Sequence, residues 1–210
     1  MPHRIHLFGA SGSGTTTLGA EVARALGARF LDTDTYYWVP TEPPFTTKRD
    51  PAERVAAIER DVEGHADWVL SGSLCSWGDP LLARFTLAVF LHLDPELRMA
   101  RLVERERARY GPRILPGGDM HAAHVDFVAW ARSYDHALAP VRSLDLHERW
   151  MARLPCPVLR LDAGRPVEAL REAVVACARG GQARAAPGDA VGPRGEAGPT
   201  ASRGQPPGGR

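Results

Sequence analysis

The stretch Ile5-His6-Leu7-Phe8-Gly9-Ala10-Ser11-Gly12-Ser13-Gly14-Thr15-Thr16-Thr17-Leu18 decides how this chain is read. Ile5 to Phe8 is a short, mostly apolar run of the kind that forms a buried strand. Gly9 to Gly14 is a glycine-rich turn. From Thr15 onward Leu18, Val22 and Leu26 recur at i, i+4 spacing, which puts them on one face of a helix. Gly27 then stands where a helix stops. A strand, a glycine-rich turn and a helix in that order form a cradle for phosphate. Glycine lets the backbone approach closely and turn its N–H groups inward. The helix start adds unpaired N–H groups and the positive end of its dipole. On this reading Gly9, Ala10, Ser11, Gly12, Ser13, Gly14, Thr15, Thr16 and Thr17 surround the phosphates of a nucleotide. The Thr16 hydroxyl falls where Mg2+ is held. The plain alternative is a tight strand-to-helix turn without a ligand.

One position departs from the pattern G-x-x-x-x-G-K-[ST]: Thr15 stands at the lysine. That lysine reaches the β- and γ-phosphates and stabilises charge during transfer. A charge-assisted hydrogen bond contributes ~1.5–3 kcal/mol, so its loss alone corresponds to roughly 10- to 150-fold in affinity. The backbone cradle does not depend on the lysine. Transfer is therefore more exposed to the change than binding is, unless another cation takes the role.

Composition narrows the function classes. The chain has 210 residues, 44% of them hydrophobic, which is enough for one domain with a real core. A formal net charge of +1 gives no basis for general nucleic-acid binding. Of the 26 Lys and Arg residues only Lys48 is a lysine, so few point charges remain for phosphate. With so much Ala, Gly and Pro, a GC-rich coding bias accounts for that choice. Cys75, Cys156 and Cys177 have no CxxC spacing, and an odd count fits a reduced cytoplasm. The start, Met1 to Arg4, runs directly into the first strand with no signal-like apolar segment. The longest apolar run, Leu87 to Leu93, is broken by His92 and is too short to span a bilayer. A cytoplasmic protein with no membrane or nucleic-acid partner is expected.

Further along, strands and helices alternate. Arg29 to Asp32 reads as a second strand, followed by an extended loop through Pro40, Pro43 and Pro44. Pro51 opens a helix to about Val62. Trp68 to Ser71 is a third strand, and Leu87 to Leu93 a fourth, whose apolar content suggests the sheet centre. Pro95 starts a helix to about Tyr110. Gly111 to Gly118 is a loop, with Asp119 as a cap for a helix from about Met120 to Tyr134. A helix follows from about Leu144 to Leu154, then a strand from Pro157 to Leu161 and a helix from Val167 to Ala178. Parallel strands need crossovers, so this alternation implies an α/β domain with helices on both faces of a parallel sheet. The domain is expected over residues 1–179. Residues 180–210 hold nine Gly and five Pro with Val191 as the one branched aliphatic, and are expected to be a disordered tail.

With the loop Gly9 to Thr16, the segment Phe30-Leu31-Asp32-Thr33-Asp34 and the pair Arg101-x-x-x-Arg105, the chain resembles the P-loop kinases of the adenylate, shikimate and gluconate kinase group. The resemblance covers about residues 4 to 178. It also resembles bacterial proteins described as adenylate-kinase-like or simply as ATPases. It implies a three-layer P-loop NTPase fold with a five-stranded parallel sheet in the order 2-3-1-4-5, and ATP and Mg2+ as cofactors. By resemblance Asp32 joins Thr16 at the metal, and Asp34 contacts the acceptor hydroxyl as base or positioner. Ligands of open α/β sheets do lie at the carboxyl ends of strands, where these carboxylates fall. By resemblance, too, Arg101 covers the adenine, Arg105 reaches the phosphates, and a lid occupies about residues 111–135. Arg113, Arg132 and Lys48 with its neighbour Arg49 are candidates to replace the missing lysine. Ser71-Gly72-Ser73 departs from the Asp-Gly that some nucleotide kinases carry after strand three. Its hydroxyls are candidates to bond a polar acceptor.

Weaker signals remain. Tyr36, Tyr37, Trp38 and Trp77 border the expected acceptor pocket, where stacking on a ring and plain packing are both open. His121 and His124, with Asp126 near, have the spacing of a metal pair or of a solvated helix face. The leading expectation is an ATP-dependent kinase acting on a small molecule, of nucleoside, nucleotide or polyol type. The alternatives are a nucleotide-binding switch module with little catalysis, which Thr15 favours, and a simple NTPase. Nothing in the sequence fixes the oligomeric state.

Overall fold

The computed structural model describes residues 1–180. Apart from Gly180, the tail expected over 180–210 lies outside the described residues. Five strands, β1 Arg4–Gly9, β2 Arg29–Asp32, β3 Trp68–Ser71, β4 Leu87–His92 and β5 Val158–Asp162, make one sheet in the order β2-β3-β1-β4-β5. Every pairing is parallel. The connecting helices are α1 Thr15–Leu26, α2 Thr33–Tyr37, α3 Pro51–Val62, α4 Pro95–Tyr110, α5 His121–Arg132, α6 Leu144–Met151 and α7 Val167–Ala178.

Side chains alternate across a strand, so each strand feeds two cores. Ile5 and Leu7 of β1 face one way, with Val69, Val89 and Leu91, and meet Leu18 and Val22 of α1 and Leu170 and Val174 of α7. Phe8 faces the other way, with Leu70, Ala88 and Phe90, and meets Ile58 of α3 and Trp150 of α6. A smaller cluster joins Met99 and Leu102 of α4 to Ala131 of α5. Helix entries follow local chemistry. Asp50 and Asp94 each precede a proline and cap α3 and α4, their carboxylates accepting from Ala52 N and from Glu96 N and Leu97 N.

The expected sheet order and most element bounds hold. Two local expectations do not. The sheet centre is β1, with β4 beside it; both are interior strands, so apolar content alone does not separate them. The chain after β2 also makes the short helix α2, capped by Asp32, which the sequence reading omitted; the stretch through Pro40, Pro43 and Pro44 beyond it is non-helical as expected. Asp119 does not cap α5: its carboxylate is drawn to Arg113, and Met120 takes the cap position with no side-chain bond.

Candidate active site

The carboxyl ends of β1 and β2 bring two loops together. β1 runs into the loop Gly9 to Gly14, where Gly12 and Gly14 both have φ of 90°, a left-handed conformation that costs a residue with a Cβ ~1–2 kcal/mol. Gly14 is the N-cap of α1 and supplies no side chain, so the first N–H groups of that helix stay available. The Ser13 hydroxyl is buried and has no partner. A buried, unpartnered hydroxyl within this loop fits an anion in the cradle.

Asp32 ends β2 and is used twice. Its Oδ2 accepts from the Thr16 hydroxyl at 2.8 Å, and its Oδ1 accepts from the Asp34 amide at 3.0 Å. The predicted metal pair is therefore in contact. Its donors are a hydroxyl and a carboxylate, the hard oxygens that Mg2+ takes when phosphates supply the rest of its shell. Among the described residues no cluster of three or more His, Cys, Asp or Glu forms a metal site by itself. The His121–His124 pair therefore has no third ligand, and His121 Nδ1 instead bonds the Ile114 carbonyl oxygen.

Asp34 lies in the first turn of α2, beside Asp32. Its pKa is raised above the usual carboxylate value, first by lost hydration and then by the Asp32 charge. Arg142, Arg105 and Arg109 oppose that rise. The wall on this side is aromatic. Tyr37 packs edge-on against Trp38 and Trp77, with centroids at 4.8 and 6.1 Å, and the buried Arg54 guanidinium lies 3.9 Å above the Tyr37 ring.

On the other side of the loop a cleft of about 450 Å³ is lined by Gly12, Gly14, Thr17, Arg101, Gly164 and Val167, among others. Arg101 closes it by donating Nη1 to the Ala163 carbonyl at 3.1 Å. Arg101 and the loop are thus brought together as expected. Arg105 donates to Glu106 at 3.0 Å while its charge still reaches Asp34. Arg113 stands elsewhere: its guanidinium is shared by Asp119 and Glu42, two carboxylates that neutralise it, so it is not poised to replace the lysine. Arg132 and Lys48 are exposed, and Arg49 spends its Nε on the Tyr36 carbonyl.

Two features escaped the sequence reading. Arg142, in the stretch before α6, donates Nη2 to the Gly9 carbonyl at 3.1 Å and to the Ser11 hydroxyl at 3.5 Å. The second is a buried chain of polar groups. The Ser73 hydroxyl meets His147 Nε2 at 3.1 Å, and His147 Nδ1 meets the Tyr134 hydroxyl at 2.7 Å. Burial first, then the Arg142 and His6 charges, hold His147 well below its usual pKa, so it is neutral and bridges one partner on each nitrogen. Ser73 is therefore engaged, and not free for an acceptor as its sequence context suggested. Ser71, the last residue of β3, is fully buried.

Comparison with known proteins agrees with this geometry. A protein-family profile described as AAA domain matches residues 5–119. The uncharacterized protein YqaC of Bacillus subtilis (strain 168) is 46% identical over 162 residues, which is 77% of this chain and 89% of that protein. Shikimate kinase 2 of Pectobacterium atrosepticum is 32% identical over 129 residues, 54% of this chain and 71% of that protein. Among solved structures, a shikimate kinase from Bacteroides thetaiotaomicron has the same fold, with a TM-score of 0.52 at 20% identity over 83% of this chain and 97% of that one. The chain thus belongs to the AAA-domain family and to the adenylate, shikimate and gluconate kinase group of P-loop kinases.

Proposed function

We propose that this protein is an ATP- and Mg2+-dependent kinase that transfers the γ-phosphoryl group to a hydroxyl of a small acceptor. The observation that carries the reading is Asp32, which holds the Thr16 hydroxyl on one oxygen and the Asp34 amide on the other. One carboxylate thereby ties the metal-side hydroxyl to the backbone that carries the acceptor-side Asp34, which supports a site positioned for phosphoryl transfer. Kinases among the relatives, and small-molecule acceptors for the shikimate kinases, support the class without fixing the acceptor.

In this reading the amides of Gly9 to Thr17 bind the phosphates, and Arg101 borders the base. Thr16 and Asp32 would hold Mg2+, which supplies charge neutralisation of the triphosphate when bound. Asp34, kept above the usual carboxylate pKa, orients the acceptor hydroxyl and receives its proton. Arg105 contributes positive charge on the acceptor side. Residues 111–135, with the domain at 1–179, act as a lid that excludes water. Three free cysteines fit a reducing cytoplasm.

The test is ADP release with ATP, Mg2+ and pools of hydroxyl-bearing metabolites. The reading expects release that depends on an acceptor and is lost in Asp34→Asn. Thr15 favours a second reading, a binding module with little turnover. Nucleotide binding without release in any pool would support the module. Release without an acceptor would indicate a simple NTPase. Either result would overturn the kinase reading.

A further inference from the structure

We propose that Arg142 is the triphosphate-binding cation of this site, taking the place that lysine holds in other loops of this pattern. The inference rests on the kinase reading above and adds a catalytic residue to it. Three observations carry it. First, Arg142 is anchored to the loop itself, with Nη2 on the Gly9 carbonyl and near the Ser11 hydroxyl. Second, it has no carboxylate in ion-pair contact among the described residues, and its Nε is buried with no partner. Third, its principal opposite charge is Asp34, the acceptor-side carboxylate. The guanidinium is thus fixed on the phosphate loop by hydrogen bonds and lies within electrostatic reach of the acceptor-side carboxylate.

The energetics point the same way. A guanidinium drawn out of water without a carboxylate is costly, and the cost is offset when an anion arrives. Burial pulls the Arg142 pKa down and the Asp34 charge only opposes it. Arginine remains charged regardless. One N–H is spent on the Gly9 carbonyl. The remaining N–H groups of the planar fork stay available to span two phosphate oxygens, which a lysine ammonium does as a point charge. The Trp130 ring of α5, 5.4 Å from the guanidinium carbon, holds it in place from the lid side. Several other basic side chains near the site are committed: Arg105 to Glu106, Arg113 to Asp119 and Glu42, Arg98 to Asp135, and Arg101 to the Ala163 carbonyl.

In the transfer step the acceptor oxygen forms a bond to the γ-phosphorus as the bond from that phosphorus to the bridging oxygen breaks. The electron pair of the broken bond stays on ADP, and the acceptor proton passes to Asp34. Arg142 undergoes no covalent change and neutralises charge on the moving group.

The test compares calorimetric affinities for Mg-ATP and Mg-ADP in the wild type, Arg142→Met, Arg142→Lys and the double variant Arg142→Met with Thr15→Lys. Arg142→Met is expected to lower ATP affinity ~10- to 150-fold, the worth of one charge-assisted hydrogen bond, with ADP affected less. Arg142→Lys should retain part of the preference, and Thr15→Lys should restore it in the Arg142→Met background. Unchanged ATP preference in Arg142→Met would overturn the proposal. So would equal losses for ATP and ADP, failure of Thr15→Lys to restore the preference, or a rise confined to the acceptor KM. If Arg142→Met does not fold, Arg142→Lys with and without Thr15→Lys decides by the same ratio. A wild type that binds neither nucleotide would sink the kinase reading itself, whereas a wild type that binds both with no role for Arg142 would sink only this inference.

Discussion

Replacing Asp32 by asparagine removes its charge while keeping two hydrogen bonds: the amide oxygen can accept from the Asp34 N–H, and the amide N–H can donate to the Thr16 hydroxyl. Asp32 caps α2 through the Asp34 amide and accepts from the Thr16 hydroxyl. Asparagine is as good an N-cap as aspartate, whereas alanine at a cap costs ~1 kcal/mol. Asp32→Asn should therefore match the wild type in urea denaturation to within a few tenths of a kcal/mol. Asp32→Ala should lose about 1 kcal/mol. The charge is another matter. If the carboxylate holds Mg2+ with Thr16, removing one charge-assisted contact costs ~1.5–3 kcal/mol, or roughly 10- to 150-fold in affinity for Mg-ATP. ATP without Mg2+ should bind Asp32→Asn at least as well as wild type, since the amide cradle is untouched and one negative charge beside the phosphates is gone. Calorimetric titration with and without Mg2+ reads both numbers. A second signature follows from the neighbour: the Asp32 charge helps raise the Asp34 pKa, so the acid limb of a pH–rate profile should move to lower pH in Asp32→Asn. Equal Mg2+ enhancement in wild type and Asp32→Asn would refute the metal assignment.

Three further outcomes are expected. Gly12→Ala puts a Cβ 2.8 Å from the Arg98 carbonyl oxygen at a φ of 90°, so stability should fall by about 1–3 kcal/mol in denaturation, and ATP affinity should fall with it. Asp34 has a raised pKa in the fold, so its carboxylate subtracts stability at neutral pH, and that penalty is relieved as pH falls through the raised value. Asp34→Asn should therefore melt higher than wild type at neutral pH, with the gap closing toward acid, while acceptor phosphorylation is lost. Arg98 is buried on Asp135 at 2.7 Å and on the Ala131 carbonyl, and it joins α4 to the end of α5. Asp135→Ala leaves that guanidinium buried without its carboxylate and should cost ~3–5 kcal/mol in urea denaturation.

The fold was legible because its signals are local. Apolar alternation, the glycines of the loop, and Pro51 and Pro95 each act within a few residues, and the bounds of α1, β2, β3 and α7 follow from them. The placement of Asp32 was legible because it ends a strand beside the loop, and Asp34 follows two residues on, in the first turn of α2. Arg142 was not. It is one of 26 basic residues, it lies outside any helix or strand, and its contact with Gly9 spans 133 residues of sequence. No periodicity marks such a residue. The one available signal was the absence of lysine at Thr15, which says that a cation is needed and not where it is. Arg113 is the converse case: its place in the stretch after α4 was legible, but the carboxylates of Asp119 and Glu42 that pair with it were not. Ser73 likewise looked free in sequence, since its partner His147 lies 74 residues away.

The most direct measurement follows the γ-phosphoryl group itself. ATP labelled at the γ-phosphorus is incubated with the full chain, Mg2+ and a pool of small hydroxyl-bearing metabolites, and the products are separated by mass. The account predicts label on a small molecule that gains one phosphoryl group, with equal ADP formed, and loss of that product in Asp34→Asn and Arg142→Met. Label that stays on ATP, or appears only as inorganic phosphate, would contradict it.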